Sequence, residues 1–193
     1  MVRAHPQVSS FLARRASTPS RTLTAPGPDS AQLRALLTLA VRVPDHGKLS
    51  PWRFLVIAGG ARERMGQLLV RRKFELEPEA APAALAKEAE RFSFAPVIVT
   101  VIARVTPGHK VPEREQLLSA GAVAHQLLLA SEAAGWGAQW LTGWAAYDPV
   151  IAAELGLAEH ESVVGFLHIG TATEPAPQRP RPDVDALTSH WSA

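Results

Sequence analysis

Residues 113–134, "EREQLLSAGAVAHQLLLASEAA", constrain the fold more than any other stretch of the chain. The spacing predicts a single long helix. Its alanines, with Leu117, Leu118, Val123, Leu127, Leu128 and Leu129, put apolar groups over most of the circumference. A helix that is apolar all round must be covered on several sides. The chain has 193 residues, enough for one domain with one real core. A partner subunit is therefore expected to cover one side of this helix.

The other elements follow from local signals. Residues 6–16 predict a short amphipathic helix, and the Ser, Thr, Pro and Gly of 17–29 predict loop. Asp29 or Ser30 caps the next helix, where Leu33, Leu36, Leu37 and Ala40 recur at helical spacing until Pro44 stops it. "WRFLVIA" (52–58), "APVIVTVIA" (95–103) and "SVVGFLHIG" (162–170) read as buried strands, since their apolar runs are nearly unbroken. Helices are expected over 61–72, after Gly59-Gly60, and over 78–92. Residues 135–144 read as strand or loop, and Asp148-Pro149 opens a short helix. From 171 the tail carries Pro175, Pro177, Pro180 and Pro182 and is expected to be extended. An extended run of about 20 residues can reach roughly 65 Å, ample to cross a neighbouring subunit. The expected architecture is α+β: one domain over 1–193, with 171–193 as its tail.

Composition removes several functions. There are 20 Lys plus Arg against 18 Asp plus Glu, too balanced for a nucleic-acid footprint without a recognisable reading module. The absence of cysteine excludes disulfides, thiolate metal sites and cysteine nucleophiles. No stretch approaches the roughly 18 apolar residues of a membrane span, and the first residues lack a signal-peptide pattern, so a cytoplasmic location is expected. Neither GxGxxG nor GxxxxGK occurs. The seven histidines form no HExxH, and Ser119 is not in a GxSxG. No metal site is expected, and Glu113, Glu115 and Glu161 read as surface carboxylates.

Three stretches remain. "VRVPDHGKLSPWRFLVI" (41–57) crowds Arg42, Asp45, His46 and Lys48 into a loop framed by Pro44 and Pro51, between two elements that read as core. It is either a solvated connection with Asp45 as a cap, or a ligand loop anchored by Trp52. In "ARRASTPSR" (13–21), adjacent arginines and hydroxyls at a helix end suit a phosphate. They equally suit the negative end of a helix dipole. Arg179 and Arg181 in "QRPRP" carry the same two readings. In "GWGAQWLTG" (135–143), the glycines either make turns or let a backbone amide at Thr142 or Gly143 approach a planar ring.

Taken in order along the chain, "ARRAS", "RVPDHGKLSPWRFLVI", "FAPVIVTVIA", the 109–143 segment and "VVGFLHIGT" resemble the FMN-dependent nitroreductases, in particular the short-form NAD(P)H nitroreductases. The resemblance covers nearly the whole chain. It implies a central, mostly antiparallel sheet flanked by helices, in an intertwined homodimer with FMN at the interface. It also implies that Arg14, Arg15 and either Ala16 or Ser17 bind the FMN phosphate and ribityl chain. Arg42 and His46 would contact FMN from their loop, with Arg42 serving the other subunit's flavin. Trp140, Leu141, Thr142 and Gly143 would line the isoalloxazine, and Arg179 or Arg181 would add a phosphate contact. Hydride would pass from NADH or NADPH through FMN to a nitroaromatic, quinone or similar small electrophile, in a ping-pong cycle. The spacing of "RRASTPSR" departs from the family's usual Arg-Arg-Ser followed closely by another arginine. Two alternatives accompany this reading: a same-fold enzyme using reduced flavin for oxygen-dependent cleavage or dehalogenation, and a flavin-binding module without turnover.

Overall fold

A computed structural model describes residues 4–192. Five strands form one antiparallel sheet built around the longest of them, β5 (Glu161–Ala172). β3 (Val97–Arg104) and β4 (Gly137–Leu141) both pair with β5, and β1 (Leu23–Thr24) pairs with its last residues. β2 (Trp52–Ala58) adds to β3 and forms an edge. The sheet has one strand more than the three or four expected. β1 lies inside the stretch expected to be loop, because two residues opposite Thr171 and Ala172 are too few to show a period. β5 likewise runs into what reads as the start of the tail.

The unbroken apolar run of β3 has a simple cause: both faces are covered. Val97, Val99 and Val101 point to one core with Val123, Ala124, Leu127, Leu167 and Ile169. Ile98 points to the other, with Leu69, Phe92, Ile151 and Phe166. Alternate residues thus feed opposite faces. The first face carries α2 (Ser30–Ala40) and α5 (Glu113–Ala133), and the second carries α3 (Gly60–Leu76), α4 (Pro82–Glu90) and α6 (Pro149–Glu154). The start of α2 is set by Asp29, whose carboxylate accepts from Gln32 N–H while the Gln32 side chain accepts from Asp29 N–H. This reciprocal pair satisfies two otherwise orphaned donors. Asp148 caps α6 without a reciprocal bond: its carboxylate accepts from Val150 and Ile151 N–H, with Pro149 at the first position. α1 (Pro6–Arg14) buries no residue. The tail beyond β5 is exposed and irregular, apart from one turn at Asp185–Leu187.

α5 is covered only in part. Its later half packs on the sheet, while Leu117 and Leu118 are 48% and 64% exposed, and Leu39 and Val41 at the end of α2 are exposed too. No helix among the described residues is long and apolar enough to cross a membrane. Glu161 corrects the surface reading. Its carboxylate is largely covered and accepts from Arg53 Nε at 2.8 Å and Nη2 at 2.7 Å.

His168 sits in the second core against Phe92, and its Nδ1 lacks a hydrogen-bond partner among the described residues. Burial, aided by the Arg91 charge, lowers its pKa from 6.5 to about 4. The unfolded chain therefore binds a proton between these values that the native chain refuses. Stability is full above about pH 6.5 and falls as pH drops toward 4. The wild-type unfolding free energy should fall by about 2 kcal/mol from pH 7 to pH 5. His168→Gln should flatten that slope; equal slopes in urea titrations would remove His168 as its source.

Candidate functional site

The site begins where α1 ends. Beyond Arg14 the chain turns extended, and Thr18 N–H donates to Ala138 O (2.9 Å) while Ser20 N–H donates to the Gln139 side chain (2.6 Å). These bonds tack residues 15–20 along β4. They bring Arg15 and Ser17 to a cavity of about 370 Å³ with Trp140 and Thr142 from the β4 end and His125 and Leu128 from α5. Arg15 Nη1 donates to Ser17 Oγ at 3.3 Å and lies 3.5 Å from Glu132 Oε1. Burial raises the Glu132 pKa, with the Arg15 charge opposing the shift.

Trp140 is held flat across the sheet. Its Nε1 donates to Val164 O at 3.2 Å, and its ring occupies the space that a side chain at Gly165 would fill. Gly143 has φ 77°, and a Cβ there would come 3.3 Å from Arg91 Nη1. Glycine meets both demands at the point where the strand ends beside the cavity.

The structure separates residues that the sequence groups together. Arg14 donates to Ser10 on its own helix and lines a second cleft of about 430 Å³ with Ala16, Phe11 and Trp136. Ser17, rather than Ala16, shares the cavity with Arg15. Leu141 lies on the opposite face of β4 from Trp140 and lines a different, small cavity with Arg21 and Lys87. Arg181 reaches the site indirectly: its Nη2 donates to Arg15 O at 2.9 Å. His125, Leu128 and Glu132 are the residues that sequence reasoning passed over. Their spacing of three and four along α5 puts them on one helix face, a signal hidden by a helix apolar all round.

Arg42 and His46 stand elsewhere. The Asp45 carboxylate accepts from Leu49 and Ser50 N–H, and Gly47, Lys48 and Ser50 all have positive φ. The two non-glycine residues among them store strain of about 1 kcal/mol or more each. The loop is thus held, not slack. His46 Nδ1 is 2.7 Å from Glu115 Oε2, at the start of α5. Glu115 lies ten residues before His125, the first α5 residue lining the Arg15 cavity, about 15 Å of helix at 1.5 Å per residue. Within one chain, the loop does not line that cavity.

The cavity combines cationic and hydroxyl donors, Arg15 and Ser17, with apolar Leu128 and Trp140, on an α+β scaffold. Comparison with known proteins places the scaffold. Residues 12–171 match the model of the nitroreductase family, and the chain belongs to that family. Over 149 residues it is 36% identical to the Escherichia coli K12 protein named "Putative NAD(P)H nitroreductase YdjA", covering 77% of this chain and 80% of that one. Its fold is similar to the crystal structure of a nitroreductase-like family protein from Bacillus cereus, with a TM-score of 0.82, 20% identity and full coverage of both chains. It also resembles the FMN and NADPH-dependent nitroreductase NfnB of "sphigopyxis sp. strain HMH", with a TM-score of 0.74, 22% identity and coverage of 95% and 98%.

Proposed function

We propose that this chain is an FMN-dependent oxidoreductase working as a homodimer, with NADH or NADPH as donor and a nitroaromatic, quinone or similar electrophile as acceptor. The observation that carries the reading is the cavity itself. Arg15 and Ser17 are paired donors suited to a phosphate, while Leu128 and Trp140 supply an apolar wall beside the glycine-ended strand. The volume of about 370 Å³ lies at the small end of the usual range for ligand sites, as expected of half a site.

When bound, FMN supplies the redox chemistry, accepting a hydride from the nicotinamide and passing it on in a ping-pong cycle. The chain's own residues do the rest. Arg15 and Ser17 bind the phosphate, and Trp140 and Leu128 keep water from one side of the ring. A backbone N–H at Thr142 or Gly143 donates to the ring edge. The half of the site that one chain lacks comes from a second copy. The exposed patch of Leu39, Val41, Leu117 and Leu118 docks against its counterpart, so that the partner's held loop brings Arg42 and His46 over the cavity. The extended tail is long enough to cross the partner as well.

The test is a visible spectrum of the protein reconstituted with FMN and titrated anaerobically with NADPH. A bound flavin that bleaches, then recovers when a nitroaromatic is added, is the expected result. Bound flavin that stays oxidised would point to a flavin module without turnover. Absence of flavin binding would refute the reading.

A further inference from the structure

We infer that Glu132 is a positioning residue: it sets the Arg15 guanidinium for a phosphate and so makes this cavity select FMN over unphosphorylated riboflavin. The inference rests on the flavin reading above and adds a specificity determinant to it.

Glu132 is poorly placed for stability. It lies in the last turn of α5, at the negative end of the helix dipole, where a cation would be favoured. Its side chain is 11% exposed, and its buried Oε1 has no hydrogen-bond partner among the described residues. The 3.5 Å approach to Arg15 Nη1 is an ion-pair contact, longer than a good hydrogen bond. Such a pair, largely out of water, repays little of its desolvation, and an apolar replacement of similar volume is often neutral or stabilising. Fold stability therefore does not account for this carboxylate.

Its effect on Arg15 does. Nη1 is set between Glu132 Oε1 and Ser17 Oγ, which fixes one end of a side chain that otherwise carries much rotamer freedom. The arginine fork is then ordered before any phosphate arrives, so less entropy is lost on binding. Arg14 shows the contrast. It is one residue away and exposed, it makes no ion pair among the described residues, and it turns back to Ser10 on its own helix. Arg15 lines both the cleft and the cavity, whereas Glu132 lines only the cleft. It can therefore steer the guanidinium without occupying the phosphate position.

The experiment titrates flavin-free wild type, Glu132→Ala and Glu132→Gln with FMN and with riboflavin, following flavin fluorescence, and records each protein's thermal midpoint. Wild type should bind FMN more tightly than riboflavin. Glu132→Ala should cut that preference by roughly 3- to 10-fold, the cost of ordering one long side chain on binding, leaving riboflavin affinity unchanged and the midpoint level or raised. Glu132→Gln keeps an acceptor for Nη1 and should restore most of the preference. An unchanged or increased preference in Glu132→Ala would overturn the proposal, an increase showing that the carboxylate merely repels phosphate. Parallel loss of both flavins with a lowered midpoint would overturn it in favour of a purely structural role. Wild type that binds neither flavin would refute the flavin reading itself, and this inference with it.

Discussion

Arg15→Ala is expected to weaken FMN binding by roughly 30- to 150-fold, the equivalent of about 2–3 kcal/mol for a charge-assisted contact to phosphate. Riboflavin, which lacks the phosphate, should lose far less. The substitution has a second consequence, because it leaves the largely buried Glu132 without the one cation that pairs with it among the described residues. The carboxyl pKa, already raised by burial, then rises further, and part of the protein's stability goes with it. Arg15→Met/Glu132→Gln removes both charges and separates the two effects. That double variant should match or exceed the wild-type thermal midpoint while still binding FMN weakly. Fluorescence titration with both flavins checks the first expectation and thermal melting the second. FMN affinity unchanged in Arg15→Ala would mean that the phosphate lies elsewhere and that the cavity has been misread.

Gly165→Ala should be the most damaging single methyl in the sheet. A Cβ at this position would overlap the Trp140 indole, which crosses β5 there and donates to Val164 O. β5 is paired with β3 at Gly165 and with β4 from the next residue, Phe166, so it has little room to bow away and the ring must leave. Overpacking of this kind costs typically 1–3 kcal/mol, and about 3 kcal/mol is expected because a buried hydrogen bond is lost too. The damage should reach the site. Trp140 is a wall of the cavity, so flavin affinity should fall even in the fraction that folds. Urea denaturation measures the first effect, and FMN titration below the transition measures the second. A variant as stable as wild type would show that Trp140 has an equally good alternative position. Trp140→Leu with Gly165→Ala tests the coupling: the pair should be less destabilised than the two single costs summed, since the overlap has gone.

Different parts of this protein were legible in the sequence for different reasons. The α+β class, α5 and the three long strands followed from apolar periodicity, which burial imposes directly on residue choice. β1 did not, because two paired residues carry no period. The end of α3 ran four residues past the expected Arg72, to Leu76, since neither a glycine nor a proline marks a stop there. Arg14, Arg15 and either Ala16 or Ser17 could be named as anion-binding candidates because guanidinium and hydroxyl chemistry is visible in residue type. His125, Leu128 and Glu132 could not, since on a helix apolar all round nothing in the spacing says which face meets the cavity.

By itself, then, the amino-acid order determined which segments are buried, which residue types could hold an anion, and that α5 needs more cover than one small domain provides. Only the tertiary structure decided which of two adjacent arginines faces the cavity. It also turned Leu141 away from the face it was expected to share with Trp140, and it tied His46 to Glu115, about 15 Å of helix from the His125 end of the Arg15 cavity. The physical reason is reach. Periodicity and side-chain chemistry act over one or two turns, whereas the site is assembled by strand register and helix packing between residues more than a hundred positions apart, as in the Arg15–Glu132 pair.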